Sequence, residues 1–193
     1  SIIALKAECY YEQELYQTSI TTFSRAIEVM SNGTYPDGRK TSDYAKYYSG
    51  RGKNYSKLRK HSDAQSDFDE AIKQDPNNAE YYLLKGNDYF IQGMYNSAEK
   101  NYNKSLSLKN SAVAYYKRGN ANYKLGKLAD AINDYTNAIK LKKDYTQAYR
   151  NRGIARYETC KTGACSDLKK AGNLRDTKAY NEYQRIKNKG ECE

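Results

Sequence analysis

Four glycines, Gly52, Gly86, Gly119 and Gly153, recur at intervals of 34, 33 and 34 residues, each inside the same local frame. The segments Tyr48-Ser-Gly-Arg-Gly-Lys-Asn-Tyr55, Tyr82-Leu-Leu-Lys-Gly-Asn-Asp-Tyr89, Tyr115-Tyr-Lys-Arg-Gly-Asn-Ala-Asn122 and Tyr149-Arg-Asn-Arg-Gly-Ile-Ala-Arg156 align without gaps. A fixed period of this length marks an array of small supersecondary units, each of which needs its neighbours to bury its apolar face. About a dozen residues beyond each glycine stands Ala64, Ala98, Ala131 or Ala164. In three units an aromatic follows four residues on (Phe68, Tyr102, Tyr135), and then a small residue (Ala71, Ser105, Ala138). Spacings of three and four put these on one helical face. Small side chains let two crossing helices approach, and large rings fill the holes between pairs. Each unit therefore reads as helix A, a short turn and helix B, with turns at Gln92-Gly-Met94 and Leu125-Gly-Lys127 and a stop at Asp75-Pro-Asn-Asn78.

Composition agrees with an all-α chain. Only two of 193 residues are Pro, and long Val or Ile runs are few. The bulky apolar surface comes mainly from 22 Tyr, so the core is built from amphipathic rings. No stretch approaches the roughly 18 uninterrupted apolar residues of a membrane-spanning helix.

The period and its order of Tyr, Gly, Tyr, Ala, aromatic, Ala and Pro resemble the tetratricopeptide-repeat family, best at residues 45–78 and nearly as well at 79–111 and 112–145. Residues 1–193 are read as a single domain, with a degenerate first unit at about 1–30 and a fifth at about 146–176. Ala7, Tyr10, Tyr11, Phe23 and Ala26 keep the spacing in the first unit, with Glu14 and Leu15 in place of the usual turn residues. The fifth has a turn, Thr159-Cys-Lys-Thr-Gly163, that looks one residue short. A capping helix is expected at 177–188 and a loop insertion at 31–44, where turn formers crowd together. The resemblance implies a right-handed superhelical solenoid of antiparallel helix pairs, its A helices lining a concave groove.

The resemblance also implies a non-enzymatic scaffold that binds a protein or peptide in that groove. The net charge is +10, and several A helices are rich in bases, so an acidic ligand is expected. Groove-facing candidates are Lys53 and Lys57 in the second unit and Asn87 and Phe90 in the third. In the fourth they are Tyr116, Lys117, Asn120 and Lys124, and in the fifth Arg150, Ile154 and Tyr157. Asn and Lys would meet a peptide backbone or carboxylate, and Tyr and Phe would clamp side chains. Arg51, Lys85, Arg118 and Arg152 directly precede the repeat glycines, where the family often has Leu, and are read as structural, with packed stems and snorkelling heads. The Lys and Asn clamp by which some family members hold chaperone tails fails here at Ser49, Leu84, Gln147 and other positions. Nucleic-acid binding through the basic face is the alternative, disfavoured because most Tyr occupy repeat core positions.

No cofactor is implied. The four Cys (9, 160, 165, 192) and the one His, placed on a turn at His61, show no metal-ligand spacing and no nucleophile–base pairing. Cys165 opens helix B of the fifth unit and Cys192 follows the cap, so a disulfide there would staple the end of the array. The other reading is four free thiols, with Cys9 and Cys160 as small core residues. The stretch Gly163-Ala-Cys-Ser-Asp-Leu-Lys-Lys170 resembles that of bacterial envelope tetratricopeptide proteins, which favours a periplasmic or envelope location over the cytoplasm. The chain opens at Ser1 on an already helical segment and is read as part of a longer protein. Oligomeric state is not encoded in any of these patterns.

Overall fold

The computed structural model describes residues 2–31, 41–160 and 162–192, and among them every regular element is a helix. The chain divides into two compact units, Ser1–Met94 and Tyr95–Glu193. The first holds α1 (Ile2–Glu12), α2 (Tyr16–Ser31), α3 (Thr41–Lys57), α4 (His61–Gln74) and α5 (Ala79–Ile91). The second holds α6 (Tyr95–Leu108), α7 (Ala112–Lys124), α8 (Leu128–Leu141), α9 (Thr146–Glu158), α10 (Ala164–Asn173) and α11 (Thr177–Asn188). Within each unit every helix packs on the next in sequence, and the A helices α1, α3 and α5, like α7 and α9, also touch one another.

The hairpin turns share one backbone device. Glu14, Arg59, Gly93, Gly126 and Cys160 each take a positive φ, between 50° and 78°, two residues beyond the end of an A helix. In the first four, the next amide donates to the carbonyl five residues back at 2.9 Å, the link that closes a Schellman-type C-terminus. Glycine marks this turn in only two units. Glu14, Arg59 and Cys160 occupy it at a steric cost that their surroundings must offset.

The expected loop at 31–44 begins and ends too wide. Ser31 closes α2, and α3 already starts at Thr41, while residues 32–40 lie outside the described residues. Thr, Ser and Asp are turn formers, but they are equally at home at a helix start. Here the apolar stripe that follows wins: Tyr44, Tyr47 and Tyr48 pack onto Phe23, Ile27 and Met30 of α2.

Alanines and rings fill the cores. Ala45, Ala71 and Tyr81 form one cluster in the first unit, and Ala138, Ile139 and Ala148 one in the second. Tyr102, Tyr135 and Phe68 are fully buried. The repeat glycine is required by close approach: a Cβ on Gly119 would stand 2.8 Å from the Tyr135 ring.

Candidate partner-binding faces of the A helices

The arginines before the repeat glycines are not snorkelling. Arg51 donates from Nε and Nη2 to Asp67 at 2.9 and 2.8 Å, and Arg152 does the same to Asp167 at 2.8 and 2.6 Å. Arg118 grips Asp134 through Nε at 3.0 Å and Nη2 at 2.6 Å. Each Asp is buried on helix B of the same repeat, three residues beyond the small Ala. Bidentate geometry and burial make these charge-assisted pairs. The third repeat has Asn101 at that place, and its Lys85 turns instead to Asp69 of the preceding repeat. Arg150 pairs with Asp176 at 2.7 Å, and Arg156 joins Arg152 on Asp167. Much of the positive charge counted on the A helices is thus neutralised within the fold.

In the first unit, α1, α3 and α5 enclose a pocket of about 440 Å³. Its lining carries Glu8 and Glu12 from α1, Lys46 and Lys53 from α3, and Glu80 from α5, so its field is mixed rather than positive. Lys53 holds its ammonium 3.9 Å from the centroid of the Tyr11 ring, a cation–π contact. Burial, then the neighbouring Tyr16 and Glu12, push the Tyr11 phenol up to about 12. Asn54, 1% exposed, donates from Nδ2 to the Gly50 carbonyl at 2.8 Å, while its Oδ1 has no partner among the described residues. An unpaired buried acceptor costs about 1–3 kcal/mol. Leu84 and Tyr81, rather than the expected Asn87 and Phe90, bring α5 to the pocket, and Lys57 is exposed beyond it.

Asp88, also on α5, is fully buried and accepts from His61 Nδ1 at 2.8 Å, Gln65 Nε2 at 2.6 Å and Gln92 Nε2 at 2.7 Å. His61 is the first residue of α4, not a turn residue, and its role is to help satisfy this carboxylate.

In the second unit the A-helix face is a polar ladder. Asn151 of α9 donates to Asn120 Oδ1 of α7 at 2.9 Å and to the Tyr116 hydroxyl at 3.3 Å, and Tyr135 also donates to Asn120 at 2.9 Å. Tyr116 lies against the Tyr135 and Tyr145 rings. Lys117 is half-buried beside this ladder, and among the described residues nothing pairs with its ammonium. Burial pulls its pKa below the usual lysine value. Lys117, Asn120 and Lys124 follow at helical spacing, with Lys124 exposed.

Residues 45–78 and 79–111 match family models described as Tetratricopeptide repeat, and residues 119–159 match one described as TPR repeat, together more than half of the chain. The chain belongs to the tetratricopeptide-repeat family. A search of curated proteins finds no significant match. Among solved structures, the chain is similar to MamA (residues 41 to the end) from Desulfovibrio magneticus RS-1, with a TM-score of 0.74 and 15% identity over 90% of this chain and 93% of that one. It is also similar to YrrB, described as a TPR protein with an unusual peptide-binding site, with a TM-score of 0.70 and 17% identity over 95% and 90% of the two chains. The first TPR of Spaghetti (RPAP3), bound to the HSP90 peptide SRMEEVD, matches with a TM-score of 0.60 and 24% identity over 62% of this chain and 95% of that one. At these identities the likeness establishes the all-α helical-repeat fold.

The last tetratricopeptide repeat and its cap close on themselves. Cys165 and Cys192 form a disulfide with Cα atoms 5.7 Å apart, tying α10 to the residues after α11. Ile154 and Tyr157, expected to face a ligand, pack against the Leu168, Ala179 and Ile186 cluster, and the Tyr157 hydroxyl donates to Glu191. Cys9 and Cys160 are exposed rather than core residues. Among the described residues no group of three His, Cys, Asp or Glu could hold a metal, and no helix is long and apolar enough to cross a membrane.

Glu8, Glu12, Tyr11 and Asn54 were not among the binding candidates read from the sequence, where Tyr11 served only as a repeat-spacing residue. The i, i+4 pair of acids on α1 was visible, but α1 belongs to the unit that departs furthest from the repeat.

Proposed function

We propose that this chain is a non-catalytic protein-interaction scaffold that holds an acidic peptide segment on the α7 and α9 face. The observation that carries this reading is Lys117: a half-buried, unpaired ammonium beside hydrogen-bonding side chains. Keeping a cation partly desolvated with no counter-charge costs the fold free energy, which an incoming carboxylate would return. Asn120, Asn151 and Tyr116 can exchange their mutual hydrogen bonds for bonds to a peptide backbone, and exposed Lys124 extends the positive strip. Arg150 is left out of the proposed contact set because Asp176 already holds it, and Ile154 and Tyr157 because they pack inward. Two similar structures support the mode, one named for a peptide-binding site and one bound to a peptide with three acidic residues.

Fluorescence polarisation with a labelled peptide ending in Glu-Glu-Asp tests the reading. Lys117→Met together with Lys124→Met should weaken binding at least roughly tenfold, and raising NaCl from about 0.05 to 0.5 M should weaken the wild type. Binding that is indifferent to both changes would remove the acidic-peptide assignment. Tighter binding of an unstructured RNA than of the peptide would favour the nucleic-acid alternative instead.

A further inference from the structure

We propose that the pocket between α1, α3 and α5 is a second recognition site, one that takes an arginine side chain from a basic segment of a partner protein. The site lies in the other compact unit from the acidic-peptide face, calls for the opposite charge, and does not depend on that reading.

Apart from its two lysines, the charged groups of the pocket ask for a cation. Glu8, Glu12 and Glu80 line it, and among the described residues none of the three carboxylates is engaged in an ion pair. Asn54, which also lines the pocket, carries a buried Oδ1 that has no donor among the described residues; such a group is costly to leave unmade and is rare in native proteins. Two lysines also reach the pocket, but Lys46 has an interaction of its own, and Lys53 has its ammonium on the Tyr11 ring.

The Lys53 contact shows that this wall of the pocket already stabilises a cation. The ring face of Tyr11 supplies a negative quadrupole, and Glu12 adds to the negative field that helps keep the phenol protonated. A guanidinium suits the place better than an ammonium. It is planar, stacks on an aromatic face, is weakly hydrated, and presents five N–H donors in a fixed fork that can serve several carboxylate oxygens together. At about 440 Å³ the pocket lies within the range of about 300–1,000 Å³ usual for ligand sites. Lys53 is then an internal competitor that must leave the ring when the arginine arrives.

The test is a titration of the ¹⁵N-labelled full chain, followed by NMR, with the capped peptide Ac-Gly-Arg-Gly-NH₂ and its counterpart Ac-Gly-Glu-Gly-NH₂. The Asn54 side-chain amide and the Lys53 backbone amide should shift saturably with the arginine peptide and stay in place with the glutamate peptide. Glu8→Gln, Glu12→Gln and Glu80→Gln combined should weaken the arginine response at least about fivefold, since each exposed carboxylate contributes modestly on its own. Helical circular dichroism and the affinity for the acidic probe should be unchanged in that variant, which separates failure here from failure of the α7 and α9 reading. Lys53→Met should tighten the arginine peptide about threefold by clearing the ring. The proposal is overturned if both peptides shift Asn54 equally, if the arginine peptide shifts nothing, if the triple Gln variant responds like the wild type, or if Lys53→Met binds more weakly.

Discussion

Arg51→Leu, Arg118→Leu and Arg152→Leu remove the same group from three repeats, yet the structure predicts three different costs. Among the described residues Asp67 has no side-chain hydrogen-bond partner but Arg51, so the first change strands a carboxylate that is 5% exposed. Asp134 keeps the Asn122 amide at 2.9 Å after the second change, and Asp167 keeps a charged hydrogen bond from Arg156 Nη1 at 2.8 Å after the third. Breaking a buried pair by deleting one partner costs about 3–5 kcal/mol, and a remaining charged hydrogen bond recovers about 1.5–3. The expected costs are therefore about 4 kcal/mol for Arg51→Leu, about 3 for Arg118→Leu and no more than about 2 for Arg152→Leu. Urea melts by circular dichroism give the order, and native-state hydrogen exchange on α3–α4, α7–α8 and α9–α10 assigns each loss to its own repeat. The Arg51 variant carries a second signature in pH. Burial already pushes Asp67 above the usual carboxylate range, against the pull of Arg51, and without Arg51 that pull is gone. A carboxyl raised on folding binds more protons in the native than in the unfolded state, so the deficit of Arg51→Leu should shrink as pH falls from 7 through the raised value. Equal costs in the three repeats, or an Arg51→Leu deficit that grows on acidification, would refute the counterion argument.

Three further outcomes follow from local geometry. Arg59→Gly should stabilise the first unit by about 0.5–1 kcal/mol in a urea melt, because Arg59 holds a φ of 57° that glycine adopts freely. Gly119→Ala should destabilise by about 1–3 kcal/mol despite alanine's better helix propensity, since its Cβ would stand 2.8 Å from the fully buried Tyr135 ring, and a neutral outcome in the same melt would show that the ring can yield. Cys165→Ser with Cys192→Ser opens a loop of 27 residues, worth about 3.5 kcal/mol by chain entropy, and the loss should appear as faster hydrogen exchange in α10 and α11 with α7 and α8 unaffected.

The repeat frame was legible because glycine, alanine and ring spacings each answer a steric demand that few other residues meet. Gly119 under Tyr135 is such a demand, and it can be read without coordinates. The charges were less legible, since an Arg reads the same whether it faces a ligand or a buried Asp. A signal existed all the same: Asp67, Asp134 and Asp167 follow their arginines by 16, 16 and 15 residues, and where Asn101 replaces the Asp, Lys85 replaces the Arg. Turn geometry at Glu14, Arg59 and Cys160 was hidden because non-glycine residues in a left-handed conformation leave no compositional trace. The unpaired Asn54 oxygen is a property of three dimensions only, since the same Asn in a looser helix pair would find water.

The placement of the counterions has a consequence for how such an array can change its length. Arg51 with Asp67, Arg118 with Asp134 and Arg152 with Asp167 each join helix A to helix B of a single repeat, so a repeat duplicated or deleted whole takes its own salt with it and leaves no orphan charge behind. Lys85 with Asp69 reaches across a repeat border instead. The second and third repeats are therefore coupled through their charges, as are the third and fourth through Lys127 and Glu99, and an insertion at either border would be felt as two unmatched ions.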